Sequence, residues 1–195
     1  YIVDLPADLT QPPPAGTLEG TETTRPRPPA GVQQRRVTYT QDRKFPGIQG
    51  PRHWLRSSPD GSRIAFLMRD DAGTVQLWTV SPLGGPAVQL SRNQDSIASA
   101  FTWSPDGQWI AHVLDQSVCV TSAKTGETIR LTKSKPEQPI RPEACVFSPD
   151  GRQLAYVRQV TSEAIGKDST NSESGSTRQH NQIFVATLPG EFVTD

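Results

Sequence analysis

The chain has 195 residues, and its 20 Lys and Arg residues are balanced by 20 Asp and Glu residues, so the formal net charge is zero. This balance argues against a nucleic-acid-binding protein and against a membrane-surface protein that depends on a basic field. No apolar run approaches the roughly 18 residues of a membrane-spanning helix, so the sequence predicts a soluble chain with no membrane span.

The first part of the chain is rich in proline and poor in apolar residues. Half of the 18 prolines of the chain lie before residue 52, and the stretch shows no hydrophobic period. This pattern predicts a long loop rather than a core. A short strand is expected at either end of the loop, over residues 2–4 and 34–38.

A repeated tetrapeptide organises the rest of the chain. Ser-Pro-Asp-Gly occurs at Ser58–Gly61, Ser104–Gly107 and Ser148–Gly151, so successive copies begin 46 and 44 residues apart. A four-stranded propeller blade takes up about 40–45 residues. Proline presets φ, aspartate can bond back to the backbone and glycine accepts a positive φ, so each copy is predicted to be a turn between two antiparallel strands.

The residues after each turn repeat as well, in the order aliphatic residue, alanine, ring: Ile64–Phe66, Ile110–His112 and Leu154–Tyr156. Alternating segments rich in β-branched residues follow, which predicts units of four strands joined by turns. One such sheet cannot bury both of its faces alone, so neighbouring units must stack. We therefore predict an all-β fold: a β-propeller of four-stranded antiparallel blades, with about three and a half blades present.

The boundaries of the blades follow from the repeat. We predict the second half of a preceding blade over 1–50, complete blades over 51–95 and 96–140, and an incomplete blade over 141–195 with an inserted polar loop at 161–181. A closed propeller has about 4–8 blades. The chain is therefore expected to be an internal segment of one propeller domain in a longer polypeptide.

The three repeats resemble the Pro-Asp (PD40, WD40-like) repeats of TolB-like β-propellers. The stretch Phe45–Trp54 is similar to one in an uncharacterised bacterial family of such propellers. This resemblance implies a bacterial protein of the periplasm or the cytoplasm. The class also includes oligogalacturonate lyases and the propeller halves of prolyl-oligopeptidase-type peptidases, and a shared fold does not fix a function.

No catalytic motif occurs in the sequence. A Gly-x-Ser-x-Gly elbow, a phosphate-binding Gly-Lys-Ser/Thr loop and His-Glu-x-x-His are all absent, so we predict no catalytic residue, no metal ligand and no cofactor. His112 is predicted to be an interior ring, and Cys119 and Cys145 to be small buried residues without a disulfide. Turn chemistry, rather than calcium binding, explains the repeated acidic residues Asp60, Asp106 and Asp150.

Candidate ligand-binding residues lie on the connections between blades, which surround the mouth of a propeller channel. Arg52 and His53 precede the first strand of a complete unit and are suited to an anion or carbohydrate, and Trp54 is suited to stacking. The alternative is that these are solvated loop residues and that Trp54 is structural. Three residues at equivalent loop positions carry mixed charges, which favour neither a cation nor an anion: Asp95, Arg141 and Glu143.

The favoured interpretation is a non-catalytic binding or scaffolding propeller, whose partner is a protein or a small-molecule or glycan ligand at the channel face. Two alternatives remain open. One is a carbohydrate-active lyase or hydrolase with its site at the channel, using Arg52 and His53. The other is the propeller domain of a prolyl-oligopeptidase-like serine peptidase, which would need a separate hydrolase domain.

Overall fold

The computed structural model describes residues 1–49, 54–143, 145–163 and 177–189. Within these ranges the chain is all-β, and its strands form four antiparallel sheets. None of the described residues belongs to a helix long and apolar enough to cross a membrane. The all-β prediction is confirmed.

A small sheet begins the fold. Its two strands are β1 (Ile2–Asp4) and β2 (Gln33–Arg35), which pair with Ile2 opposite Arg35. Both predicted strands are present, but the second ends at Arg35 rather than at residue 38. Val37 is instead buried against the next sheet, where packing takes precedence over strand pairing.

The next two sheets are complete four-stranded blades. Blade 1 contains β3 (Arg56–Ser57), β4 (Ile64–Arg69), β5 (Val75–Val80) and β6 (Val88–Gln89), in that spatial order. Blade 2 contains β7 (Thr102–Trp103), β8 (Trp109–Leu114), β9 (Ser117–Ser122) and β10 (Thr128–Arg130), again in sequence order. The predicted architecture of four antiparallel strands per unit is confirmed for these two blades.

Blade 3 contains three described strands and differs from its prediction. They are β11 (Val146–Phe147), β12 (Gln153–Glu163) and β13 (Thr177–Thr187). The loop predicted over 161–181 is therefore too long at both ends, since β12 and β13 remain paired out to Glu163 and Thr177. An exposed two-stranded ribbon needs no apolar face, so its polar sequence gave no strand pattern. Residues 164–176 and the predicted strand remnant at 192–194 lie outside the described residues.

Hydrophobic clusters lie between successive sheets. Phe66 and Met68 of β4 face the β1–β2 sheet, whereas Ala65 and Leu67 face blade 2. The same alternation holds in β8, where Ile110 and Leu114 face blade 1 and their neighbours Ala111 and Val113 face blade 3. Each complete blade thus buries both faces against its neighbours, as stacked propeller blades do.

The three Ser-Pro-Asp-Gly turns have the same internal hydrogen bonds. In the turn of blade 2, the Ser104 hydroxyl donates to Asp106 Oδ1 at 2.5 Å and accepts from the Trp109 amide at 2.9 Å. Gly107 adopts a φ of 71° and donates to the Ser104 carbonyl at 3.0 Å. Corresponding bonds occur in the turns of blades 1 and 3. We call the edge of the stack that carries these turns the turn end, and the opposite edge the loop end.

Candidate ligand-binding face

The loop end carries the connections between blades and those between the second and third strands of each blade. In blade 1 this connection is a turn in which Asp70 Oδ1 accepts from the Ala72 and Thr74 amides at 3.0 and 2.9 Å. In blade 2 it is a tight two-residue turn, with Asp115 and Gln116 at φ values of 46° and 56°. In blade 3 it is the long β12–β13 ribbon.

The structure places the predicted site residues at the loop end to the extent that it describes them. Arg52 and His53 lie outside the described residues. Trp54 directly precedes blade 1, is 49% exposed, and has the guanidinium of Arg56 5.3 Å from its ring centroid. An aromatic ring half open to solvent is compatible with a stacking role.

Arg141 and Glu143 are brought together. They form an ion pair with Arg141 Nη2 3.6 Å from Glu143 Oε1, and their side chains are 42% and 44% exposed. A surface pair of this kind adds little stability because both charges remain solvated. Both side chains are therefore accessible to a ligand.

Asp95 lies in the connection that leads from blade 1 to blade 2. That connection is anchored to the first residue of β5, where Ser96 Oγ accepts from the Val75 amide at 3.0 Å and Ile97 donates to its carbonyl. The connection then reaches the next one, where the Ala100 amide donates to the Pro142 carbonyl at 2.9 Å. Asp95 itself is exposed, and no hydrogen bond or ion pair among the described residues joins it to the Arg141–Glu143 pair.

Sequence reasoning missed Arg158, which organises the connection into blade 3. Its side chain occupies the position filled by Met68 in β4 and Leu114 in β8, and the residue is only 3% exposed. Its guanidinium donates to the carbonyls of Gln138 and Lys133 at 2.8 and 3.3 Å. Aligning the repeats would have shown an arginine in a core position.

Gln76 is the second residue that sequence reasoning missed. It is completely buried, accepts from the Ser91 hydroxyl and the Asn93 amide, and donates to the Asn93 carbonyl at 2.7 Å. These bonds fix the start of the connection between blades 1 and 2. The signal was a long polar residue in the middle of an apolar strand.

The remaining polar candidates have structural roles. His112 is completely buried with Nε2 2.8 Å from Thr121 Oγ1, and burial lowers its pKa to about 4, so the ring is neutral at pH 7. This confirms the prediction of an interior ring. Cys119 and Cys145 are free and buried, as predicted, and burial raises their pKa values to about 11 and about 12, which makes both thiols unreactive.

The repeated aspartates belong to the turns, as predicted. Hydrogen bonds from Ser58 and Ser62 lower the pKa of Asp60 to about 2, and the bond from Ser148 lowers the pKa of Asp150. A carboxylate that accepts several donors in its own turn is already satisfied. Within the described ranges, no group of three or more His, Cys, Asp or Glu residues is placed to hold a metal ion.

The stacked four-stranded sheets define the chain as part of a β-propeller. Residues 78–166 match the family model of the dipeptidyl peptidase IV N-terminal region. The chain is 49% identical over 160 residues to the uncharacterized protein YidR of Escherichia coli, a match that covers 80% of this chain and 38% of that protein. Together with the fold, these matches support the predicted resemblance to TolB-like propellers.

Two further proteins are similar over shorter stretches. Tricorn protease homolog 1 of Streptomyces coelicolor is 31% identical over 105 residues, which cover 53% of this chain and 9% of that protein. The crystal structure of TolB from Acinetobacter baumannii superposes with a TM-score of 0.48 and 23% identity, over 60% of this chain and 30% of that one. The chain therefore spans well under half the length of these relatives.

Proposed function

We propose that the chain is part of a non-catalytic propeller of the YidR type, which binds a protein or a small-molecule or glycan ligand at its loop end. The difference between the two ends of the blades carries this proposal. The turn end repeats one hydrogen-bond pattern three times, whereas the connection between the second and third strands, at the loop end, is built differently in each blade. Variable loops on a repeated scaffold are the usual location of binding residues.

The exposed side chains at the loop end are suited to recognising a neutral or mixed-charge surface. Trp54 offers an apolar ring, and Arg141 and Glu143 offer charges of opposite sign within 3.6 Å of each other. A net anionic or net cationic ligand would meet one repulsive partner at this pair. A polar peptide segment or a glycan could instead satisfy both charges and stack on the ring.

The proposal is tested by screening glycans, peptides and candidate protein partners against the full-length protein and then mapping the binding. We expect a double variant, Trp54→Ala with Arg141→Ala, to weaken binding at least about tenfold. The matched control is Lys124→Ala with Arg152→Ala, which alters exposed side chains at the turn end and should leave affinity unchanged. Failure to bind any probe, or loss of binding only in the control, would contradict the proposal.

A second candidate is the propeller domain of a peptidase. It is favoured by the match of residues 78–166 to the dipeptidyl peptidase IV N-terminal region and by the identity to a tricorn protease homolog. In that case the full-length protein should hydrolyse dipeptidyl anilides. Hydrolysis that is abolished by a serine-protease inhibitor would replace the binding proposal with this one. Cleavage of acidic oligosaccharides would favour the carbohydrate-active alternative.

A further inference from the structure

A buried histidine ring lies at the contact between blades 1 and 2. His112 is completely buried, and in β8 it points to the same side as Ile110 and Leu114, which pack against blade 1. The equivalent positions hold Phe66 in blade 1 and Tyr156 in blade 3. Among the three described blades, only blade 2 therefore has a group at this position that can gain a positive charge.

The two ring nitrogens of His112 have different surroundings. Nε2 lies 2.8 Å from Thr121 Oγ1, and that hydroxyl lies 2.8 Å from Thr128 Oγ1. Nδ1 is buried and has no hydrogen-bond partner among the described residues. A neutral ring bears one N–H group, whereas a protonated ring bears two. Protonation would therefore add both a charge and a donor without an acceptor to a closed contact.

The immediate neighbours of the ring are uncharged. Cys119 of β9 lies directly opposite His112, and its thiol stays neutral because burial raises its pKa to about 11. Four residues of blade 1 belong to the cluster of buried side chains at this contact: Ala65, Leu67, Leu77 and Leu90. A charge on the ring would thus be held in an apolar environment, which strongly disfavours it.

The charged side chains at the edges of the contact do not favour a protonated ring. Arg63, which reaches blade 2 from blade 1, and Arg130 of β10 are both cations, and Arg130 pairs with Asp115 at 3.3 Å. Arg92 and Glu127 have opposite charges and are exposed beside an open cleft. Burial, rather than a neighbouring charge, is therefore what lowers the pKa of His112 from 6.5 to about 4.

This lowered pKa links the contact to pH. The stability that the neutral ring contributes is complete above pH 6.5 and is lost as the pH falls towards 4, because in that range only the opened protein takes up the proton. Opening that exposes the ring should become about twentyfold more favourable between pH 7 and pH 5.

We propose that His112 makes the contact between blades 1 and 2 acid-sensitive, so that the two blades stay packed at neutral pH and separate more readily in acid. The hydroxyls of Thr121 and Thr128 lead from the ring to partly exposed surface, which gives a proton a route to the ring. The hydrophobic cluster between blades 2 and 3 contains no histidine among the described residues. The proposal does not rest on the ligand binding proposed for the loop end.

The test is hydrogen exchange of the full-length protein at pH 7 and pH 5, with each rate corrected for the intrinsic effect of pH on exchange. We expect protection to fall about twentyfold in β4 and β8, which meet at the contact, and less than about threefold in β12. Unchanged protection in β4 and β8, or an equal fall in all three blades, would overturn the proposal.

Two variants assign the effect to the ring. His112→Phe introduces the residue that blade 1 has at the equivalent position, so it should abolish the difference in protection between pH 7 and pH 5. The matched control is His180→Gln, which removes an exposed histidine of β13 and should keep the full difference. A difference that persists in His112→Phe, with folding verified by urea denaturation at pH 7, would also overturn the proposal. If His112→Phe does not fold, the comparison of blades in the wild-type protein still decides the outcome.

Discussion

The two ends of the blades are built by different means. At the turn end, the serine hydroxyl donates to the aspartate at 2.5 Å in all three copies, and the amide two residues after the aspartate donates back to it at 3.0–3.1 Å. At the loop end, the equivalent connections are a turn closed by Asp70, a two-residue turn and a long ribbon. Local sequence determines the Ser-Pro-Asp-Gly turns, whereas contacts between distant segments hold the connections between blades at the loop end.

This difference separates the turn end, which sets the register of the strands, from the loop end, where we propose that a ligand binds. Because each Ser-Pro-Asp-Gly turn satisfies its own polar groups, the strands that it joins keep their register whatever the other end does. Gln76 and Arg158 then hold the loop-end connections individually, each through bonds that the described residues of the other blades do not repeat. Loops can therefore diverge without loss of the scaffold, and the variants below test this division.

The largest effect is expected at Gly126, in the turn between β9 and β10 at the turn end. It adopts a φ of 76°, and a methyl group added there would overlap the carbonyl oxygen of Leu90 in blade 1. Gly126→Ala combines backbone strain with a clash between blades, so we expect a loss of about 3 kcal/mol or more in unfolding free energy. Urea denaturation measures it.

Gly85 is the matched control, since it lies in the corresponding turn of blade 1. Its φ of 108° is also positive, but no atom lies within 4 Å of an added methyl group. Gly85→Ala therefore carries only the backbone strain, about 1–2 kcal/mol. Equal losses of unfolding free energy in Gly126→Ala and Gly85→Ala would show that the contact between blades adds no stability at the turn end.

An intermediate effect is expected at Arg158. Arg158→Met restores the kind of side chain present at Met68 and Leu114, but it leaves the carbonyls of Gln138 and Lys133 without their donor. We expect a loss of about 2 kcal/mol, with faster hydrogen exchange over 133–141 and little change at the turn end. The conservative control Met68→Leu should cost less than about 1.5 kcal/mol. Uniformly faster exchange across all blades would contradict a local role.

The sequence predicted those parts of the fold that depend on local chemistry. The turn at Ser104–Gly107 carries its own signature of proline, aspartate and glycine, and the strand after it alternates between two buried faces. The outer part of the β12–β13 ribbon, which extends past the stacked sheets, has no buried face. Its sequence therefore carries no hydrophobic period from which a strand could be predicted.

The same distinction applies to the candidate site. Exposed residues such as Trp54 and Arg141 could be proposed from their positions before the first strand of a repeat, where connections reach the loop end. The buried Gln76 and Arg158 could not, because long polar residues are rarely buried and their backbone partners here are 17–25 residues away in sequence. Only tertiary structure brings those carbonyls and amides within reach.

The smallest effect is expected from the serines of the turns. Ser104→Ala removes the hydroxyl that accepts from the Trp109 amide and donates to Asp106, at a residue only 3% exposed. The lost bonds should lower the unfolding free energy by about 1–2 kcal/mol. Ser58→Ala, at a site equally buried, should give the same loss, and Ser148→Ala a smaller one because water can replace its more exposed hydroxyl. Urea denaturation of the three variants checks this order.

Because the turns are self-contained, the losses of unfolding free energy should add in the triple variant. Strong non-additivity would mean that the turns are coupled through the stack of blades.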